Sequence, residues 1–298
     1  MNDQRVLKGN FSAFFTIFVW ATTFISIKLL LEDFTPIEIM FFRLVLAYCA
    51  LFVVNPHFIK VINLKEELLF MGAGLCGVTL YFIFQNTALA LTQASNVSVL
   101  ISISPFFTAI LSRLFNKEEQ FHSNFFMGFG VSIVGIFLIG FNGNFILKLN
   151  PLGDLLAILS ALVWAMYTLL MKKISTLNYN TILFTRKIFF YGLFLLLPFL
   201  NLFDFQMDLA RFSSIPNLLN ILFLGIGASA LCYVTWNYAV SVLGAVKTSV
   251  FIYLIPIITI IISALVLHEK ITPLALLGVF LILIGLYLSE RRTNSIKN

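Results

Sequence analysis

The residues best placed for chemistry are amides, hydroxyls and aromatic rings, set at helical spacing inside otherwise apolar runs. "FQNTALALTQASNVSVLISISP" (84–105) carries Gln85, Asn86, Ser98, Ser102 and Pro105. "TWNYAVSVLGAVKTSVFIYLIP" (235–256) carries Trp236, Asn237, Ser249, Tyr253 and Pro256, with asparagine and proline the same distance apart. Ser95, Ser98, Ser102, Pro105, Thr108 and Ser112 step by three or four, so a helix gathers them into one stripe. Ser249, Tyr253, Pro256, Thr259 and Ser263 repeat it. Thr16, Trp20 and Thr23 form a further stripe, matched by Ser160, Trp164 and Tyr167. Such groups can recognise a solute through hydrogen bonds and ring faces. Each stripe has two readings: helix packing, with hydroxyls bonded across an interface, or the wall of a solute cavity.

Asn86 lies near Tyr81 and Gln85, and Asn237 near Tyr233 and Trp236. An amide is costly in lipid, so both asparagines face the interior, as glue between helices or as ligand contacts. Trp20 and Trp164 sit mid-helix, away from the interfacial belt, either packed against a hydrogen-bond acceptor or lining a cavity. Pro105 and Pro256 each remove a backbone bond, to the carbonyls of Ile101 and Ile252. The result is a pair of static kinks or a pair of hinges. Lys28 and Arg43 are expected to snorkel to one side and Lys172 and Arg186 to the other, unless they gate a carboxylate. The expected cavity therefore has no deep fixed charge.

All thirteen acids fall in tails, loops or helix ends, and His57, His122 and His268 fall in loops. A proton relay would place such groups in mid-membrane. The pattern favours facilitated efflux, or coupling through peripheral Glu38 or Asp154. Glu118 and Glu269, at the ends of the two polar stripes, have no assigned role. No nucleophile–base set, metal cluster or phosphate-binding glycine loop occurs, so neither an enzyme nor a cofactor or metal is expected. Cys49, Cys76 and Cys232 lack pairing or ligand spacing and read as small buried hydrophobes.

Lipid is the environment these elements require. Of 298 residues, 60% are hydrophobic and 11% charged, against about half and a quarter in a soluble domain. The net charge of +6 has no basic run behind it, so no nucleic-acid partner is expected. Ten apolar segments are expected to span: 11–31, 36–54, 67–89, 94–114, 123–141, 152–172, 181–200, 215–239, 243–267 and 273–290. Arg186 and Lys187 interrupt the seventh. The first leads into "LEDFTP" without a cleavage site and reads as a retained helix. The amphipathic connection 201–216 is expected at the surface. With both termini cytoplasmic, fourteen Lys and Arg fall inside and five outside, as the positive-inside rule asks.

The chain also matches itself. At an offset of 151, residues 86–118 and 237–269 agree at 12 of 33 positions, including Asn86/Asn237, Ser98/Ser249 and Pro105/Pro256. Trp20 matches Trp164, Lys28 matches Lys172, and Arg43 matches Arg186. Five helices per half is an odd number, so the second half must enter the membrane from the opposite side. The expected fold is all-α and polytopic, with ten transmembrane helices in two inverted five-helix repeats, 11–141 and 152–290.

On "WATTFISIKLL" (20–30), "TPIEIMFFRLVLA" (35–47), "NTALALTQASNVSVLISISPFFTAILSRLFNKEE" (86–119), "GDLLAILSALVWAMYTLLMKK" (153–173) and the run from Leu231 to Leu286, the chain resembles an EamA-type carrier of the drug/metabolite transporter superfamily. The resemblance implies ten helices around a central cavity and export of small metabolites such as amino acids. It departs at the tryptophans, where Ala21 and Ala165 stand in place of the family's usual glycine. The expectation is a secondary transporter working by alternating access, multi-pass in the bacterial plasma (inner) membrane, with lipid and a small solute as its partners. The alternative is a non-transporting membrane subunit or scaffold. "GFGVSIVG" (128–135) offers it a small-residue face on which a homodimer could form.

Overall fold

The computed structural model describes residues 3–59, 63–92, 94–115, 123–140, 150–202, 205–266 and 272–290. The first half contains α1 (Asp3–Leu30), α2 (Pro36–Val54), α3 (Leu64–Leu91), α4 (Ala94–Ile101 then Ser104–Phe115) and α5 (Ser123–Gly140). The second contains α6 (Pro151–Ser175), α7 (Thr181–Leu202), α8 (Ile215–Leu243), α9 (Ala245–Val250, Phe251–Tyr253 and Leu254–Val266) and α10 (Pro273–Glu290). No strand occurs among the described residues. Glu118 and Glu269 lie outside them, as do the side chains of Ser95 and Ser263.

Seven helices are long and apolar enough to cross a membrane, and α5, α9 and α10 contain the shorter apolar stretches Asn124–Leu138, Ala245–Thr259 and Leu276–Gly285. The bundle exposes Phe11, Phe14, Phe18, Phe190, Phe194 and Leu197, a surface suited to lipid rather than water. The chain is a multi-pass integral membrane protein. Arg186 and Lys187 do not break α7, because Arg186 turns inward and Lys187 pairs with Glu67 at 2.9 Å.

Local chemistry fixes the helix starts. Thr35 caps α2 in a reciprocal box, with Glu38 accepting from Thr35 N at 2.8 Å and Pro36 opening the first turn. Asn150 caps α6 by accepting from Gly153 N at 3.2 Å, again with a proline in the first turn. The two prolines of the polar stripes follow real interruptions. α4 opens into a turn at 102–103, and α9 tightens into the 3₁₀ turn Phe251–Tyr253. A proline ring clashes with the carbonyl four residues back, which is where each helix gives way.

A feature beyond the sequence patterns is a pair of π-helical stretches, Leu75–Leu80 in α3 and Phe223–Leu231 in α8. Shifted by 151 residues, the first falls on 226–231, inside the second. Each has a glycine near its start that lets another helix approach. A Cβ on Gly74 would lie 2.7 Å from Tyr191 Cβ of α7, and one on Gly225 would lie 2.7 Å from Leu46 Cβ of α2.

The halves interdigitate. α1 packs on α8 and α9, as α6 packs on α3 and α4; α2 meets α7 and α8, as α7 meets α3; α4 meets α9, and α5 meets α10. Exchanging the halves maps this set of pairings onto itself. The Gly128, Ser132 and Gly135 side of "GFGVSIVG" is covered by the chain's own α10: a Cβ on Gly135 would lie 2.5 Å from Gly278 O, and one on Gly285 as near to Gly128 O. A homodimer could use that side only by displacing α10.

One expectation is corrected. Cys49 is exposed, on the outer face of α2, while Cys76 and Cys232 are buried. The connection after α7 lies at the surface, as expected, and is held there by its apolar side. Its Phe205 and Phe212 pack on Phe41 and Phe42, with ring centroids 4.9 Å apart in both pairs. Its Arg211 donates to buried Glu38 through Nη1 at 2.8 Å and Nη2 at 3.2 Å. Apolar rings and a paired charge tie this connection to the α1–α2 turn.

Candidate functional site

Five helices of the two halves line one small cavity inside the bundle. α1 contributes Trp20, Thr23 and Phe24, α2 Arg43, α3 Tyr81, Phe82 and Gln85, α8 Tyr233, and Ile255 of α9 closes the wall. The cavity they enclose is about 20 Å³, room for about one water. Around it stands an aromatic cluster containing all three tryptophans of the chain. Trp20 meets Trp164 edge-on at 5.1 Å and Trp236 at 5.2 Å, and Tyr81 meets Trp164 at 4.7 Å. Offset and edge-on rings of this kind build a firm apolar wall with polar edges.

The π-helical stretches supply acceptors to this wall. Trp20 donates its indole N–H to Ala228 O at 2.8 Å, and Tyr233 donates its hydroxyl to Gly77 O at 2.6 Å. Each carbonyl belongs to a π stretch, one from each half. Widened turns of this type are rare and recur at functional sites.

Arg43 is the charged member. It is 2% exposed, donates from Nε to Ser229 Oγ at 3.0 Å, and lies over the Phe82 ring at 4.2 Å. It does not snorkel, and the expectation of a cavity without deep charge is overturned. Arg43 stands two turns into α2 among protein neighbours on every side, so the route to the surface is filled. Its counterpart Arg186 does not reach water either. Arg186 donates to the carbonyls of Asn55 and His57, beyond the end of α2, where a cation is favoured. Lys28 likewise donates to Thr92 O at 2.8 Å, at the end of α3, whereas Lys172 is exposed.

Other anticipated residues sit in a layer behind the cavity. Tyr167 donates to Asn237 Oδ1 at 2.7 Å, and Asn237 donates to Thr185 at 2.9 Å, a buried bridge joining α6, α8 and α7. Asn86 donates to Pro36 O at 3.2 Å, and its Oδ1 is buried without a partner among the described residues. Thr16 bonds Thr235 across to α8 at 2.6 Å. Ser102, Ser160 and Ser249 bond carbonyls of their own helices, Ser98, Ala157 and Val246, at 2.8, 2.7 and 2.7 Å. Ser98 is buried at 2% exposure. Trp236 Nε1 and Tyr253 Oη are buried without hydrogen-bond partners among the described residues. Pro105 and Pro256 lie on α4 and α9 outside the cavity wall.

Sequence reasoning did not select Phe24, Phe82, Ile255 or Ser229. The first three are apolar residues in apolar helices and carry no distinguishing signal. Ser229 lies in "GIGASA" (225–230), where paired glycines could have marked an unusual turn. Among the described residues no cluster of His, Cys, Asp or Glu has the makings of a metal site.

The family model described as "EamA-like transporter family" matches residues 7–141 and again 151–291. A protein named "Uncharacterized transporter" from Archaeoglobus fulgidus is 30% identical over 93% of this chain and 95% of its own length. "Uncharacterized transporter YdfC" of Bacillus subtilis is 31% identical over 87% of this chain and 83% of its own. A "Probable terminal-alkyne amino-acid exporter" from Streptantibioticus cattleyicolor is 25% identical over 97% and 96%. One solved crystal structure shares the fold, with a TM-score of 0.74 at 16% identity and 97% coverage of both chains.

Proposed function

Since the chain belongs to the EamA-like transporter family, we propose that it exports small organic metabolites, amino acids among them, by alternating access. The five-helix halves 11–141 and 152–290 act as inverted repeats that rock about the central aromatic site. Both termini face the cytoplasm, across a bacterial inner membrane. The observation that carries this reading is the cavity itself. Its wall is built from both halves, rich in ring faces and hydrogen-bonding tips, and placed where their helices cross.

The cavity's small volume fits a closed form. A metabolite needs a pocket of roughly 300 Å³ or more, so the halves must part before cargo enters. The repeat-related interruptions ahead of Pro105 and Pro256 are the hinges at which they part. A fixed pore suits a constricted aromatic centre less well than a carrier does. The scaffold alternative loses its main support, because α10 occupies the small-residue face of α5. The name of the Streptantibioticus relative supports an amino-acid-like cargo.

The test is flux. Purified protein in liposomes, loaded with metabolites released from cells on overexpression, is expected to export a subset of them with saturation and mutual competition. Absence of flux across the panel would leave the scaffold in its place.

A further inference from the structure

Among the described residues, the interior holds one cation whose chemistry the protein leaves unfinished. The Arg43 side chain sits in the cavity wall at 2% exposure, and its only hydrogen bond among the described residues runs from Nε to Ser229. Nη1 and Nη2 meet no acceptor there, and the ion pairs among the described residues lie elsewhere, at Glu67, Glu38 and Asp208. Glu38, on the same helix, is fully engaged by Arg211, Thr35 and Gln206 at the end of the bundle. Phe82 covers one face of the guanidinium, which eases its burial but does not neutralise it. A buried charge without an anion is a costly arrangement, and one that persists calls for a visiting partner.

The geometry points to Arg43 as a carboxylate subsite, so that the cargo is a small organic acid or zwitterion bearing an apolar or aromatic group. This inference rests on the carrier reading above. A carboxylate accepts two parallel N–H bonds from a guanidinium fork, and Nη1 and Nη2 are the atoms left for it. Thr23, Tyr81 and Gln85 stand in the same wall to bond a second polar group. Trp20, Phe24, Tyr233 and Ile255 form the apolar side. Among the described residues no carboxylate lines the cavity, so an ammonium on the cargo would meet ring faces instead of a counter-ion. A cationic amine without an acid group would face Arg43 unpaired, and is excluded.

All three tryptophans belong to the cluster, so intrinsic fluorescence of the purified protein reports binding directly. The probes are matched sets: L-phenylalanine against its amide and phenethylamine, L-leucine against its amide, and 3-phenylpropionate against its amide. Wild type is expected to bind at least one of the acids about 10- to 100-fold more tightly than its amide, the scale of charge-assisted hydrogen bonds. Arg43→Gln removes that discrimination, and Arg43→Lys, which keeps charge but not the fork, recovers part of it. If Arg43→Gln does not fold, the wild-type ratios still decide. Amides or amines bound as tightly as the acids would overturn the inference. So would silence toward every acid from a protein whose liposomes export some other solute. Export of no solute at all would bring down the carrier reading beneath it.

Discussion

Arg211 and Glu38 offer the sharpest quantitative check on how the two halves are joined. The Glu38 carboxylate is 1% exposed and accepts from Thr35 N at 2.8 Å, Gln206 N at 3.0 Å, and both terminal nitrogens of Arg211. Arg211 also donates to Asp33 O at 2.8 Å and Gln206 O at 3.0 Å. Arg211→Met removes the counter-charge and leaves the carboxylate with two backbone donors. Breaking a buried pair costs about 3–5 kcal/mol, whereas exposed pairs are worth at most about 1 kcal/mol. The Arg211 side chain keeps 20% of its exposure, so the expected loss lies between them, about 2–3 kcal/mol. Glu38→Gln keeps an acceptor oxygen and is expected to lose about 1–2 kcal/mol. With both replaced, nothing charged remains to be stranded, and the double variant should be no worse than Arg211→Met. A double-mutant cycle by denaturant titration in mixed micelles then returns a coupling of about 1–2 kcal/mol. Strict additivity of the two losses would show that the pair does not hold the α1–α2 turn to the α7–α8 connection.

Tyr167→Phe deprives buried Asn237 Oδ1 of its donor and should cost about 1–3 kcal/mol of stability in the same titration. Gly135→Ala drives a methyl to within 2.5 Å of Gly278 O, so α5 and α10 must separate; a loss of about 1–3 kcal/mol is expected, with the elution volume in detergent unchanged. The Tyr179 hydroxyl bonds Glu66 at 2.8 Å, and that bond raises its pKa above the ordinary tyrosine value. A raised folded-state pKa means the contribution is fully present below about pH 10 and lost as pH climbs through the folded value. Thermal melts from pH 7 to 11 should show it, and Tyr179→Phe should flatten the alkaline decline.

How much of this was legible in the sequence depends on whether a residue's role is local. Trp20, Thr23, Tyr81, Gln85 and Tyr233 could be found because a polar group in an apolar helix must turn inward, and helical spacing says which neighbours turn with it. Asn86 and Asn237 were confined to the interior for the same reason. Their bonding partners, Pro36, Tyr167 and Thr185, come from other helices and have no sequence signature. Arg43 was misplaced because snorkelling counts residues to the helix end and ignores what fills the path. The seat for Arg43 is made by Ser229 and Phe82, from α8 and α3. The π stretches escaped notice because one extra residue in a turn leaves the hydrophobic pattern intact. Gly74 and Gly225 were visible, but their meaning lay in the helices they let approach.

Solute counterflow tests whether the aromatic site carries cargo between two exclusive openings. Liposomes containing the protein are preloaded with an unlabelled exported solute and diluted into its labelled form. A carrier predicts transient accumulation of label above equilibrium, which Trp20→Ala should abolish by removing both the wall and the bond to Ala228. Label that equilibrates without overshoot and without saturation, or overshoot undiminished by Trp20→Ala, would contradict it.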